Sequence, residues 1–272
     1  MKNSPIGVFD SGLGGLTAVK ELLKIIPNEN IIYFGDTGRV PYGNRSRETI
    51  IKYATDDINF LRSLDVKMII AACGTVSSVA FDVGLNLNIP FVGVIEPTAK
   101  AAVSATKNGR IGIIGTTATI KTGAYKNEIY KLDSKIKVFE KDCPLFVPLV
   151  ENGFIGNDPV TKAVAGRYLE ELKNQNIDTL ILGCTHYPII SSIISQVIGQ
   201  NVTLINSGQE TALFSYQKLK SLNLLSDNSK KGSCSFFVSD SIESFSKTAD
   251  IFLDENAGKF VRQIDINNYS SK

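Results

Sequence analysis

The sequence predicts an α/β fold built as two pseudo-symmetric, doubly wound lobes, each with a mainly parallel sheet, and an active-site cleft between them. Three observations carry that expectation. Short apolar runs of strand length alternate regularly with stretches of helix length, the pattern of parallel sheets covered by helices on both faces. Two of the runs end alike: Met68-Ile69-Ile70-Ala71-Ala72-Cys73-Gly74-Thr75 and Leu180-Ile181-Leu182-Gly183-Cys184-Thr185 each place a cysteine at a strand end with a threonine close behind. Finally, Ile113-Ile114-Gly115-Thr116 echoes Val8-Phe9-Asp10-Ser11, so the alternation begins again in mid-chain. Cuts near Ile95 and Ser207 assign 1–95 with 208–272 to lobe one and 96–207 to lobe two.

Taken in order, Ile6 to Phe9 is an apolar strand, and Asp10-Ser11-Gly12-Leu13-Gly14-Gly15 turns into a helix running to about Ile26. Ile31 to Phe34 is the second strand, followed by Gly35-Asp36-Thr37 and the turn signal Pro41-Tyr42-Gly43. From Ser46 to Leu64, Ile51, Ala54, Ile58 and Leu61 form one apolar stripe of a helix. The Cys73 strand follows, Thr75 opens a helix through Phe81, and Phe91 to Ile95 is a fourth strand; Glu96 before Pro97 reads as a solvated linker residue. In the second half, Arg110 to Ile114 is a strand, Ala118 to Lys131 a helix and Ile136 to Glu140 a strand. Val147 to Gly153 is too proline-rich for a long element, and Asp158-Pro159 begins a helix to about Gln175. Thr179 to Leu182 leads to Cys184, Pro188 suits the first turn of the next helix, and Val202 to Ile205 is a strand. A helix from Gln209 to Ser221, a strand at Phe236 to Val238 and a helix near Ile242 to Leu253 complete the chain, with 267–272 expected to fray.

At 272 residues, 43% hydrophobic and 21% charged, the composition is that of a globular protein with a large core, and a net charge of only +2 argues against a nucleic-acid partner. No run approaches the roughly 18 apolar residues of a membrane helix, and Met1 to Pro5 shows no leader pattern, so a cytoplasmic location is expected. Four cysteines without close spacing make neither a disulfide framework nor a paired zinc motif. Cys143 and Cys234 are assigned to packing.

The chemistry concentrates at strand ends, where open α/β sheets bind ligands. Cys184 lies two residues from His186, the only histidine, whose imidazole can help form the reactive thiolate. The glycines after Asp10 resemble an anion-binding turn. The third glycine of a dinucleotide fingerprint is missing, however, and Asp10 would repel a phosphate. Asp10 and Ser11 read equally well as a site for a small zwitterion or as caps of the following helix. If Cys73 and Cys184 approach one substrate carbon from opposite sides, one as thiolate and one as thiol, a proton leaves one face and returns to the other, inverting the centre. Preorganised donors must stabilise the charge that develops, and Thr75, Thr185 and the turn amides are placed for that. Thr116 and Thr117 read equally as substrate contacts or helix caps.

Phe9-Asp10-Ser11-Gly12-Leu13-Gly14-Gly15, Tyr33-Phe34-Gly35-Asp36-Thr37, Pro41-Tyr42-Gly43, Ala72-Cys73 and Gly183-Cys184-Thr185-His186-Tyr187-Pro188 together resemble the glutamate racemases of the cofactor-independent aspartate/glutamate racemase family. The resemblance runs from about Ile6 through Ser207. It implies an isomerase that interconverts L- and D-glutamate, supplies D-glutamate for peptidoglycan, uses no cofactor or metal, and can form a homodimer. It gives Cys73 and Cys184 the acid and base roles, assisted by Asp10, Glu151 and His186. Ser11, Pro41, Tyr42, Gly43, Gly74, Thr75 and Thr185 match the substrate-holding segments. One position departs: where the family commonly has Cys-Asn-Thr, this chain has Cys73-Gly74-Thr75, so either water fills the place of the Asn side chain or the lobes close further. Alternatives left open are an aspartate racemase or other cofactor-free epimerase or decarboxylase, an amino-acid-binding protein, and a metal site at Cys73, Cys184 and His186.

Overall fold

The computed structural model describes residues 2–253 and 261–270. Its strands form two sheets, parallel at every pairing. The first contains β1 (Ile6–Asp10), β2 (Ile31–Gly35), β3 (Met68–Ala71), β4 (Phe91–Gly93), β9 (Cys234–Val238) and β10 (Val261–Gln263) in the order β10-β9-β2-β1-β3-β4. The second contains β5 (Arg110–Gly115), β6 (Lys137–Asp142), β7 (Thr179–Leu182) and β8 (Thr203–Asn206) in the order β6-β5-β7-β8. The block β2-β1-β3-β4 therefore has the same winding as β6-β5-β7-β8. In both, the strand order reverses beside the first strand, which opens a crevice at the carboxyl ends of β1 and β3 and of β5 and β7.

Alternation along the strands fixes the faces. Ile6 and Val8 of β1, Ile31 and Tyr33 of β2 and Met68 and Ile70 of β3 join one core cluster, while Phe9, Phe34, Ile69 and Ala71 join another. The first face is covered by α1 (Leu16–Ile25), α10 (Ser207–Ser221) and α11 (Ile242–Leu253), the second by α2 (Arg47–Arg62) and α3 (Gly74–Val79). In the second sheet, Ile111, Ile113 and Ile181 pack under α4 (Ile95–Ala105) and α6 (Ala124–Leu132). Leu180 and Leu182 pack under α8 (Pro159–Lys173) and α9 (Ser191–Ile198).

Several elements differ from the sequence expectation. Glu96-Pro97 is no linker but the first turn of α4, where a proline's fixed φ and missing N–H are tolerated, and Glu96 pairs with Lys100 one turn on at 2.6 Å. The helix expected over 118–131 is two, α5 (Thr117–Thr122) and α6, separated by Gly123 at φ +61, a left-handed conformation that glycine adopts without cost. The helix expected through Phe81 ends at Val79 and continues as a 3-10 turn, Phe81–Gly84, and a 3-10 turn, Tyr187–Ile190, precedes α9. Val147 to Gly153 contributes a short helix, α7 (Phe146–Glu151), that carries Pro148 inside it. Strand β10 was not anticipated. The tail does not fray where it is described: Ile266–Tyr269 is a 3-10 turn, Ile266 is buried, and Asn59 of α2 donates to the Tyr269 carbonyl at 3.1 Å. Ser271 and Lys272 lie outside the described residues.

Candidate active site

Cys73 follows β3 and Cys184 follows β7, so the two thiols occupy equivalent switch points of the two sheets. Between them lies a cavity of about 320 Å³. Asp10 and Ser11 reach it from the end of β1, and Pro41, Tyr42 and Gly43 from the loop after β2. Cys73, Gly74 and Thr75 line it at the start of α3, Glu151 at the end of α7, and Cys184, Thr185 and His186 after β7. Each residue singled out from the sequence thus reaches one cavity, and Thr116, Thr117, Val40, Asn44, Pro144, Val147, Pro148 and Gly183 complete its wall.

The lobe-two side is a hydrogen-bonded relay. His186 Nδ1 lies 3.8 Å from Cys184 Sγ and 3.4 Å from Thr185 Oγ1, while its Nε2 lies 3.0 Å from Glu151 Oε1. Burial opposes charging of this imidazole, but the hydrogen bonds and negative charge of Cys184 and Glu151 outweigh it and raise its pKa to about 10. A protonated ring therefore stands beside the Cys184 sulfur at neutral pH, the arrangement that favours a reactive thiolate. Phe252 of α11 packs edge-on against the His186 ring, centroids 5.7 Å apart, and helps exclude water.

The lobe-one side is different. Cys73 is buried, and its side chain meets the Ser11 hydroxyl at 3.5 Å. Burial first, and then the negative charge of Asp10, push its pKa up to about 12, against hydrogen bonds from Ser11 and the Val76 amide. Cys73 rests as a neutral thiol. Asp10 is itself buried and accepts from the amides of Gly12 at 3.3 Å and Gly15 at 3.0 Å, so it ties the glycine turn to the strand end while lining the cavity.

Behind the Pro41-Tyr42-Gly43 loop lies a buried charge cluster that the sequence reading did not identify. Arg39 bridges Asp36 (2.5 Å), Asp56 (2.7 Å) and Asp57 (2.9 Å), and the Tyr42 hydroxyl donates to Asp36 and to Asp57. Burial and the Asp36 charge raise the Asp57 pKa well above the carboxylate range, with Arg39 opposing. One signal was available: Asp57 falls on the apolar stripe of Ala54, Ile58 and Leu61, where an acid needs partners.

Thr116 caps α5 by accepting from the Thr119 amide at 3.3 Å, and its hydroxyl also meets Thr75 Oγ1 across the cleft at 3.2 Å. Thr117 donates to Asp142 at 2.8 Å. Cys143 is buried, and burial raises its pKa; Cys234 is half-buried on β9. Among the described residues no cluster of three or more His, Cys, Asp or Glu side chains is arranged to hold a metal ion, and no helix is long and apolar enough to cross a membrane.

Residues 16–213 match the model of the Asp/Glu/Hydantoin racemase family. The chain belongs to that family. It is 43% identical to the glutamate racemase of Geobacter metallireducens, over 93% of this chain and 94% of that one. It is 46% identical to that of Chlorobaculum tepidum, over 92% and 93%. The crystal structure of Francisella tularensis glutamate racemase in complex with D-glutamate superposes with a TM-score of 0.92 at 39% identity, covering 99% of this chain and all of that one. In this chain both strand-end cysteines and the histidine line one cavity.

Proposed function

We propose that this protein is a glutamate racemase that interconverts L- and D-glutamate by proton transfer at the α-carbon, with Cys73 and Cys184 as the two acid/base groups. The observation that carries this reading is the placement of two buried thiols at equivalent strand ends of two lobes, lining one cavity. The close kinship with glutamate racemases, one of them solved with D-glutamate, supports the choice of substrate.

In one direction the Cys184 thiolate, beside protonated His186, takes the α-proton, and the electron pair delocalises into the substrate carboxylate. The Cys73 thiol then gives its proton to the opposite face, which leaves inverted product, a Cys184 thiol and a Cys73 thiolate. The reverse direction uses the same groups with roles exchanged. Hydroxyls of Ser11, Thr75 and Thr185 and the turn amides are the donors available to the developing enolate-like charge. Asp10 is the carboxylate available to the substrate ammonium. Glu151 holds the His186 ring in orientation and keeps it charged. D-glutamate made in this way would serve peptidoglycan synthesis, in keeping with the family.

Proton NMR in deuterium oxide tests the reading directly, following α-hydrogen loss from L-glutamate and, separately, from D-glutamate. Exchange and racemisation of both enantiomers are expected. Exchange of aspartate in place of glutamate would keep the two-thiol chemistry and overturn the substrate; binding without exchange of either would overturn the enzyme reading.

A further inference from the structure

We propose that Gly14 is a positioning residue that seats the His186 imidazole against Cys184, so that lobe one completes the lobe-two relay. The inference deepens the racemase reading and rests on it for the consequence in rate. Gly14 lies in the turn after β1 and does not adopt a left-handed φ, so an alanine there would meet no backbone penalty. What the position lacks is room. A β-carbon at residue 14 would stand 2.5 Å from His186 Nδ1 and 2.6 Å from Cε1, inside the 3.0 Å that real β-carbons respect, and closer still to Thr185 Oγ1. Nδ1 is also the atom that lies 3.8 Å from Cys184 Sγ. The bare backbone of Gly14 therefore borders the edge of the ring that faces the thiol.

The turn has nowhere to draw back. The Gly12 and Gly15 amides donate to Asp10, the Tyr33 hydroxyl donates to the Gly12 carbonyl at 2.7 Å, and a β-carbon at Gly15 would already stand 2.6 Å from Asp10 Cβ and 3.1 Å from the Tyr33 ring. The seam between the lobes is closed here as well. Leu13 and Leu16 share one core cluster with Cys184 and Tyr187, and Thr17 Oγ1 lies 2.8 Å from the Gly14 carbonyl and 3.1 Å from the Thr185 carbonyl. A packed interior of this kind does not deform gradually to admit a methyl. The side chains in front of residue 14 must move instead. The Thr185 hydroxyl can turn to another rotamer, but the buried ring is held by Glu151 at Nε2, 3.0 Å away, and has Phe252 edge-on against it. A displaced ring loses Cys184, Glu151 or both.

Few titratable groups surround that ring. Glu151 faces it from α7 and Cys184 from its own turn, and these two raise its pKa against the effect of burial. The glycine turn brings Asp10, whose Oδ2 is occupied by the Gly12 and Gly15 amides; Tyr187 turns its hydroxyl to the Cys143 carbonyl, and α11 presents the apolar Phe252. A ring pushed off its seat therefore loses the partners that favour its charged form, and Cys184 loses the imidazolium beside it. Gly14 acts on proton transfer through His186.

His186 is the only histidine in the chain, so NMR of protein carrying isotopically labelled histidine reports one ring and its titration. The test compares wild type with Gly14→Ala and with Gly12→Ala, a change in the same turn whose β-carbon would meet Val40 at 3.3 Å and no lobe-two atom. In Gly14→Ala the titration midpoint is expected to fall by about two pH units toward the ordinary imidazole value, and kcat for glutamate to fall on the order of 100-fold, as when a reacting group is misplaced by about 1 Å. In Gly12→Ala the midpoint is expected to stay where it is. A folded Gly14→Ala protein whose ring titrates as in wild type overturns the proposal, and so does an equal shift in Gly12→Ala. If Gly14→Ala does not fold, the same change is made in a His186→Ala background, where the ring is gone: a double variant that folds and melts within a few degrees of His186→Ala supports the seat, and one that still fails to fold places Gly14 in the packing of its own turn and overturns it. A shifted midpoint in Gly14→Ala, with a wild type that does not racemise glutamate, would keep Gly14 as the seat of His186 and remove the racemase reading instead.

Discussion

Cys73 and Cys184 end topologically equivalent strands, β3 and β7, yet their neighbours differ in charge. Beside Cys184 stands an imidazole whose pKa is raised by Cys184 and Glu151; beside Cys73 stand a neutral hydroxyl, Ser11, and an anion, Asp10. The same winding thus supplies two thiols with different surroundings, one beside an imidazole whose pKa is raised and one beside a carboxylate that opposes its ionisation. The difference also separates what the fold contributes from what local residues contribute: the sheet order positions the sulfurs, and the neighbouring side chains give each a different electrostatic setting.

The largest effect expected is from removing either sulfur. Cys73→Ala and Cys184→Ala should each lower racemisation by about 10³- to 10⁴-fold, the upper range of general acid-base contributions. Deuterium wash-in sharpens the comparison, because each variant keeps a base on one face only. Each should exchange the α-hydrogen of a single enantiomer, and the two variants should favour opposite enantiomers. Equal exchange of both by either variant would break the one-thiol-per-face assignment.

His186→Asn comes next, with a fall of about 10²-fold in kcat/KM, equal in the two directions because the two enantiomers are equal in free energy. Deuterium wash-in begun separately from L- and D-glutamate should be slowed more for the enantiomer whose α-proton goes to Cys184. The pH dependence follows from the raised His186 pKa. A charge-assisted His186 stabilises the fold fully below about pH 6.5, and that contribution disappears as pH rises through about 10. Activity that needs the imidazolium should fall over the same alkaline limb. Glu151→Gln removes one of the two groups that raise this pKa, so the limb should move to lower pH, with a loss of about tenfold at neutral pH. An unmoved limb would show that Glu151 does not act through His186.

Much of this arrangement could be read in the sequence, for a physical reason. Strand ends in a parallel sheet are marked by apolar runs that stop at small or polar residues, so Asp10, Cys73 and Cys184 announced themselves locally. Glu151 entered only through family resemblance, because its partner His186 is distant in the chain and α7 carries no strong pattern. Helix α4 was missed because Pro97 resembles a breaker until its place in the first turn is known. The Arg39 cluster and the Gly14 contact depend on tertiary approach: no local period shows that three aspartates converge on one guanidinium, or that an imidazole from the other lobe stops 2.5 Å from an absent methyl.

That cluster provides the smallest expected effect, and it lies wholly on the Cys73 side. Tyr42→Phe keeps the ring in its packed place against Tyr53 but removes the hydroxyl that bridges Asp36 and Asp57. Two buried carboxyl groups then lose a donor, which should cost about 1 to 3 kcal/mol of stability, seen as a lower melting temperature. The loop from Pro41 to Gly43 lines the cavity without reaching a thiol through any hydrogen bond of its own, so its loosening should weaken substrate and transition state alike. A KM raised a few-fold with kcat nearly unchanged is the expected signature of such uniform binding. If kcat falls while KM holds, the loop acts on the proton transfer itself, and the contrast between a charged lobe-two relay and a purely positioning lobe-one frame would have to be redrawn.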